Sequence, residues 1–248
     1  MSLKAGFMVI VDISGYTTFV KAHSNPKKSA VLSTLIAKMN DGHGEHIISD
    51  LLETVINELE GTLTVNKLEG DAALFYAIPD KIGEFAPNLF KKLVTSIEIF
   101  NKRINELQLI QSCPCIPCNE IVNLKLKCFV HYGDFLIKKV NRFEEIAGEP
   151  VIILHRLMKN TITDNEYILL TQKAAEISNL DEQKEMEKRV EKIADFGKMP
   201  VFVHYPFEKK TEIKKPSLLF KVKNFLPMQK YFWHRKTEKR LKVKLGLN

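Results

Sequence analysis

The sequence predicts an α+β fold, one antiparallel-rich sheet with helices over one face, and three observations carry that prediction. Short apolar runs rich in β-branched and aromatic residues recur along the chain, as in Gly6-Phe7-Met8-Val9-Ile10-Val11. Amphipathic helical stretches alternate with them. Two of the runs are joined by Leu68-Glu69-Gly70-Asp71, whose Gly-Asp pair reads as a hairpin turn.

The elements follow in order. Residues 6–12 form a buried strand that ends in a carboxylate, Asp12, with Ser14-Gly15 after it. A helix starts over Thr17–Lys21 and is interrupted at Ser24-Asn25-Pro26. Residues 26–45 are polar, contain Asp41-Gly42-His43-Gly44, and read as an insertion or mobile segment. Over 47–59 a helix places Ile48, Leu51, Leu52, Val55, Ile56 and Leu59 on one stripe. Strands at 62–67 and 72–78 make the hairpin, and 89–109 is a long amphipathic helix. A strand over 124–131 is predicted to turn at Gly133-Asp134 into a second one over 135–140. Residues 148–160 end in a helix, 167–171 is a strand followed by a short helix, and 190–196 with 201–205 closes as a hairpin.

Composition bounds the function. A content of 45% hydrophobic and 27% charged residues is that of an ordinary globular chain. No apolar run reaches the roughly 20 residues that span a bilayer. The N-terminal residues lack the apolar core of a signal peptide, so the expected compartment is the cytoplasm. The net charge of +7 is uneven: residues 209–248 hold thirteen Lys/Arg against Glu212 and Glu238, leaving 24 basic and 28 acidic residues in 1–208. A mildly acidic body with a basic extension does not mark the domain as a nucleic-acid binder.

Asp12 and Asp71 carry the chemistry. Each follows or closes an apolar strand where the chain turns, with a glycine (Gly15, Gly70) beside it. Two carboxylates at the ends of adjacent strands repel unless a cation compensates. Hard oxygen ligands without His or Cys nearby favour Mg²⁺ or Mn²⁺ over zinc. The amides of Ser14, Gly15 and Tyr16, at a helix start, can cradle phosphate. On the residues alone, a helix-capping Asp12 and a turn-filling Asp71 account for the same pattern.

The motifs resemble those of class III adenylate and guanylate cyclases. Asp12-Ile13-Ser14-Gly15-Tyr16-Thr17 is similar to that class's Asp-Ile-x-Gly-[Phe/Tyr]-Thr signature, and Lys67-Leu68-Glu69-Gly70-Asp71-Ala72 to its Lys-x-x-Gly-Asp-Ala hairpin. Val130-His131-Tyr132-Gly133 resembles the strand that follows. Gly148-Glu149-Pro150-Val151 with Arg156 resembles its Gly-x-x-Val-Asn-x-x-x-Arg helix. A bacterial family of uncharacterised cyclase-like proteins is similar in further motifs. These are His46 with Asp50-Leu51-Leu52, Glu69-Gly70-Asp71-Ala72, Cys113-x-Cys115-x-x-Cys118, His131-Tyr132-Gly133 and His155-Arg156-Leu157-x-Lys159-Asn160.

The resemblance covers residues 6–208 and implies a ferredoxin-like βαββαβ nucleotidyl-cyclase sandwich, with 209–248 as a basic extension. It implies that Asp12, Asp71 and the Ile13 carbonyl bind the catalytic metal ions. Lys67 then contacts the purine and favours adenine, Glu145 occupies the second base-reading position, and Arg156 steadies the triphosphate. It also implies a head-to-tail homodimer, in which Asp12 and Asp71 face Lys67 and Arg156 of the partner subunit. The activity implied is conversion of ATP to cyclic AMP and pyrophosphate.

One position departs from the class. Ile152 stands where the class has an asparagine, and Ile153-Leu154-His155 is bulkier than usual. Losing one preorganised donor removes about 3–4 kcal/mol of transition-state stabilisation, slowing a cyclase by about two to three orders of magnitude. The alternative reading is therefore a catalytically degenerate homologue that binds nucleotide or dimerises in signalling. A third is an interaction module built on the same scaffold.

Other features remain open. Cys113, Cys115 and Cys118, with Cys128 and His131 further on, admit a structural Zn²⁺ site or a packed or redox-active loop. Cys128, in a strand, reads as core. His46 and His155, on helices beside apolar residues, read as hydrogen-bonded core histidines, with His155, next to Arg156, also a candidate to approach phosphate. The extension interleaves aromatic and basic residues, and reads as packing back on the domain rather than lying on a membrane surface.

Overall fold

A computed structural model describes residues 2–24, 43–110, 120–178 and 186–206, plus four single positions of the C-terminal extension. Most of the 26–45 segment, the Cys113–Cys118 motif and almost all of 209–248 lie outside the described residues. The elements run β1 (Ser2–Ser14), α1 (Tyr16–Ser24), α2 (His43–Leu59), β2 (Thr64–Glu69), β3 (Ala72–Ala77) and α3 (Ile82–Ile110). After a 3₁₀ turn at Glu120–Asn123 come β4 (Lys125–Val140), β5 (Phe143–Ala147), α4 (Glu149–Leu157), β6 (Tyr167–Thr171), α5 (Gln172–Ser178), β7 (Glu187–Ile193) and β8 (Gly197–His204).

The chain divides into two compact units. The first, Met1–Ser14, Leu52–Phe100 and Lys125–Lys210, contains the whole sheet. The second is Gly15–Leu51, Asn101–Leu124 and Thr211–Asn248. Within it, the Asp50 carboxylate is buried and accepts from Arg103 Nη2 at 2.7 Å, an ion pair that accounts for an aspartate on an otherwise apolar helix stripe.

The sheet order is β2-β3-β1-β4-β6-β8-β7, with β5 paired to β4; every pairing is antiparallel except β4–β6. The predicted α+β class holds. The central strand β1 is buried on both faces: Phe7, Val9 and Val11 point one way, Met8 and Ile10 the other. Phe85 of α3 meets Phe7 at 5.6 Å between ring centroids on the first face. On the second face Val151, Leu154 and Leu157 of α4 join Met8, Ile10, Leu74 and Phe129 in one core. The helix layer expected over one face thus gains α4 on the other. α4 suits its dipole, with Glu149 in its first turn and His155 and Arg156 in its last.

Three expectations are corrected. β4 does not turn at Gly133-Asp134; it runs on as one strand, with Gly133 opposite Gly6 and Asp134 opposite Ala5 of β1. A side chain at Gly133 would stand 2.8 Å from Pro150 Cγ, so glycine there admits α4 rather than turning the chain. β5, over 143–147, has no counterpart in the prediction. The long helix begins at Ile82 rather than 89 and contains Pro87, which leaves the Gly83 carbonyl without its helical partner.

Candidate functional site

Asp12 is the last but two residue of β1, paired with Ala72 of β3 on one side and Lys127 of β4 on the other. The Ile13 amide donates to the Asp71 carbonyl at 3.1 Å, so the two carboxylate-bearing turns lie next to one another. Gly70, at φ +71°, opens the two-residue turn, as the first position of a II′-type hairpin turn requires. Burial, then the neighbouring Asp71, push the Asp12 carboxyl up to about 6, against the pull of Lys127. Burial also raises Asp71, opposed by a hydrogen bond from its own backbone. Two carboxylates that raise their proton affinity in this way are charge-deficient, and hard oxygen donors suit a divalent cation. The donor set therefore fits Mg²⁺ or Mn²⁺. Ile13 is buried and apolar in its side chain, so its backbone carbonyl is all it offers. Among the described residues no three His, Cys, Asp or Glu side chains converge.

Lys127 belongs to this site and was not predicted. It stands directly across the ladder from Asp12, half-buried, its ammonium 5.4 Å from the Tyr167 ring centroid. Burial lowers its proton affinity and Asp12 opposes that. No local motif could reveal it, because its neighbour is set by register.

Lys67 and Glu69 sit on β2. The ladder slips between Val65 and Lys67, so Asn66 is an extra residue. Strand alternation would put Lys67 on the same face as Val65; the bulge puts it opposite Leu74, on the face covered by α4. Asn66 Nδ2 donates to the Glu144 carbonyl at 3.2 Å, while its buried Oδ1 has no hydrogen-bond partner among the described residues. Lys67 Nζ lies 2.7 Å from Glu69 Oε1, and His155 Nδ1 of α4 lies 3.5 Å from Glu69 Oε2. Burial lowers the His155 proton affinity; Glu69 opposes this and Lys67 adds to it.

The other predicted residues are placed as follows. Glu145 pairs with Lys138 at 3.8 Å and, by alternation from the core residue Ile146, points to the face away from Lys67. Arg156 is exposed on α4, with Asp195 at 3.3 Å, and Ile152 lies one turn earlier on the same face, 49% exposed. The Ser14 hydroxyl donates to Asn165 Oδ1 at 3.1 Å. Gly15, at φ +90°, precedes α1, and Tyr16 donates from its hydroxyl to Glu45 at 3.4 Å. Cys128 is fully buried, its thiol pushed up to about 12 by burial, and faces away from His131, so those two do not share a metal. Asn160 is a joint: its Nδ2 reaches the Leu157 carbonyl at 2.8 Å and the Tyr167 hydroxyl at 2.7 Å.

The fold is that of class III nucleotide cyclase domains. The adenylyl cyclase CyaB from P. aeruginosa superposes with a TM-score of 0.57 at 10% identity, covering 86% of this chain and 100% of that one. The guanylyl cyclase Cya2 gives 0.56 at 10% identity, over 87% and 98%. The guanylate cyclase domain of RhGC from Catenaria anguillulae, in complex with GTP, gives 0.53 at 10% identity, over 82% and 97%.

At the level of sequence, residues 48–167 match a family described as "Protein of unknown function (DUF2652)". The uncharacterized protein Rv2561/Rv2562 of Mycobacterium tuberculosis is 34% identical over 129 residues, 52% of this chain. The chain spans 59% of that relative's length. Among the described residues no helix is long and apolar enough to cross a membrane.

Proposed function

We propose that this chain binds a purine nucleoside triphosphate with Mg²⁺ or Mn²⁺ and, as an adenylate-cyclase-like protein, converts ATP to cyclic AMP and pyrophosphate at a low rate. The observation that carries the reading is the carboxylate pair, Asp12 and Asp71, side by side at strand ends in a cyclase fold. When bound there, a divalent cation supplies charge neutralisation of the triphosphate and acidifies the ribose 3′-hydroxyl. Asp12, Asp71 and the Ile13 carbonyl hold it. The amides of Ser14, Gly15 and Tyr16, next in the chain, donate to phosphate. Lys127 adds a partly desolvated cation beside the same carboxylates. Lys67 reads the base, and Arg156 meets negative charge developing at the α-phosphate. Two copies arranged head to tail would bring these two groups of residues together.

A second reading has its own observation: Ile152 presents an apolar surface one turn from Arg156, where a donor to ribose or phosphate would stand. On that reading the chain is a catalytically degenerate homologue that binds nucleotide or dimerises without turnover. An assay of the full chain with Mn²⁺ and ATP, with Asp12→Ala as control, separates the two. Asp12-dependent cyclic AMP supports the first reading. ATP binding without product supports the second.

A further inference from the structure

We infer that Glu69 is a specificity-determining residue of the base site, supplying beside Lys67 the acceptor for a purine amino group; this rests on the nucleotide reading above. Three observations converge on it. The bulge at Asn66 turns Lys67 and Glu69 together onto the α4 face, where Glu69 lies opposite Ala72 and Lys67 opposite Leu74. The Glu69 carboxylate pairs with Lys67 Nζ at 2.7 Å, and His155 Nδ1 of α4 lies 3.5 Å from its other oxygen, so groups of both β2 and α4 border it. Glu145 is directed to the opposite face of the sheet, 3.8 Å from Lys138.

The chemistry matches one kind of ligand. The Lys67 ammonium has three N–H donors and spends one on Glu69; each Glu69 oxygen keeps a free lone pair. All three side chains remain partly open, at 42%, 29% and 31% exposure for Lys67, Glu69 and His155. A donor next to an acceptor complements the edge of adenine, whose ring nitrogen accepts beside an amino group that donates. A 6-oxo purine puts a carbonyl against the Glu69 carboxylate and leaves that acceptor unmet, the arrangement by which sites reject analogues. His155 borders the carboxylate from α4.

The test is calorimetric titration of the full chain with ATP and with inosine triphosphate in Mg²⁺. The wild type should bind ATP about tenfold more tightly, the scale of one charge-assisted hydrogen bond at a partly exposed site. Glu69→Ala should erase that preference by weakening ATP alone, Glu69→Gln should retain part of it through its carbonyl, and Glu145→Ala should leave it intact. Unchanged circular dichroism and melting temperature exclude misfolding as the cause. Binding of both nucleotides with the preference preserved in Glu69→Ala, or absent from the wild type, overturns this inference alone. No binding of either nucleotide by the wild type overturns the nucleotide reading and this inference with it.

Discussion

The Ile13 amide and the Asp71 carbonyl are joined at 3.1 Å, and this bond sets Asp12, one residue back, beside Asp71 in a partly buried corner. An ionised Asp12 therefore opposes folding. Its carboxyl sits at about 6 in the folded chain against 3.8 ordinarily, so between those values the folded state holds a proton that the unfolded state has lost. Stability falls as pH rises through that window, and the full penalty stands above about pH 6. Asp12→Asn should raise the unfolding free energy by roughly 1–3 kcal/mol at pH 7.5 and add little at pH 3.8, read by urea denaturation. The same variant should lose Mn²⁺ binding. A site that destabilises its own fold until loaded is what a functional pair of carboxylates predicts.

Ile152 offers a gain-of-function test. On the cyclase reading, Ile152→Asn restores a donor one turn from Arg156 on an exposed helix face, at little cost to the core. Cyclic AMP production should rise by about two to three orders of magnitude, as expected for regaining one preorganised donor, with ATP affinity changed far less. A single-turnover assay with Mn²⁺ makes the comparison.

Gly133 and Pro150 set the seat of α4. Gly133→Ala places a methyl group 2.8 Å from Pro150 Cγ and should destabilise the chain by about 1–3 kcal/mol. Pro150→Ala in the same background should recover part of it, since Pro150 Cβ and His131 Nε2, each 3.1 Å from the new methyl, remain. A double-mutant cycle in urea tests the coupling, and additive losses would contradict it.

Arg103→Met should cost about 2–4 kcal/mol. It removes the donors at 2.7 and 3.3 Å from a buried Asp50 carboxylate, and Asp50→Asn combined with it should cost less than Arg103→Met alone.

His131 gives the opposite pH dependence to Asp12. Burial, then Lys173, pull its imidazole down to about 4, while Nδ1 lies 2.9 Å from the Thr171 hydroxyl. The neutral ring is the folded form, so its stabilisation is complete above 6.5 and is lost as pH falls from there towards 4. The loss should reach about 3 kcal/mol, and His131→Gln should remove that component from the stability profile.

What could be read in advance follows from the range of the forces involved. β1, β3 and β6 were legible because each is a continuous apolar run, the mark of a strand covered on both faces. β5, Phe143-Glu144-Glu145-Ile146-Ala147, carries no such run and owes its conformation to β4 alongside it. Gly133-Asp134 has turn composition, yet its glycine answers to Pro150, seventeen residues away. Within the site, Asp12 and Asp71 were visible because a carboxylate closing an apolar strand is a local signal. Lys127 was not, since only the β1–β4 register brings it to Asp12. Glu69 falls within the hairpin motif, but its face relative to Val65 depends on the slip at Asn66, which no alternation pattern announces.

That slip also bears on how this hairpin can change over time. Strand alternation counts residues in twos, and the bulge takes Asn66 out of that count, so Lys67 to the turn keep the frame of a ladder without it. Loss of that single codon would join Val65 to Lys67 in a regular ladder, with Lys67 still opposite Leu74 and Glu69 still opposite Ala72. The ionic face of Lys67 and Glu69 and the exposed Leu68 therefore keep their places through a one-residue deletion at this point. The bulge lets the hairpin's residue count change at Asn66 without changing which residues share a face.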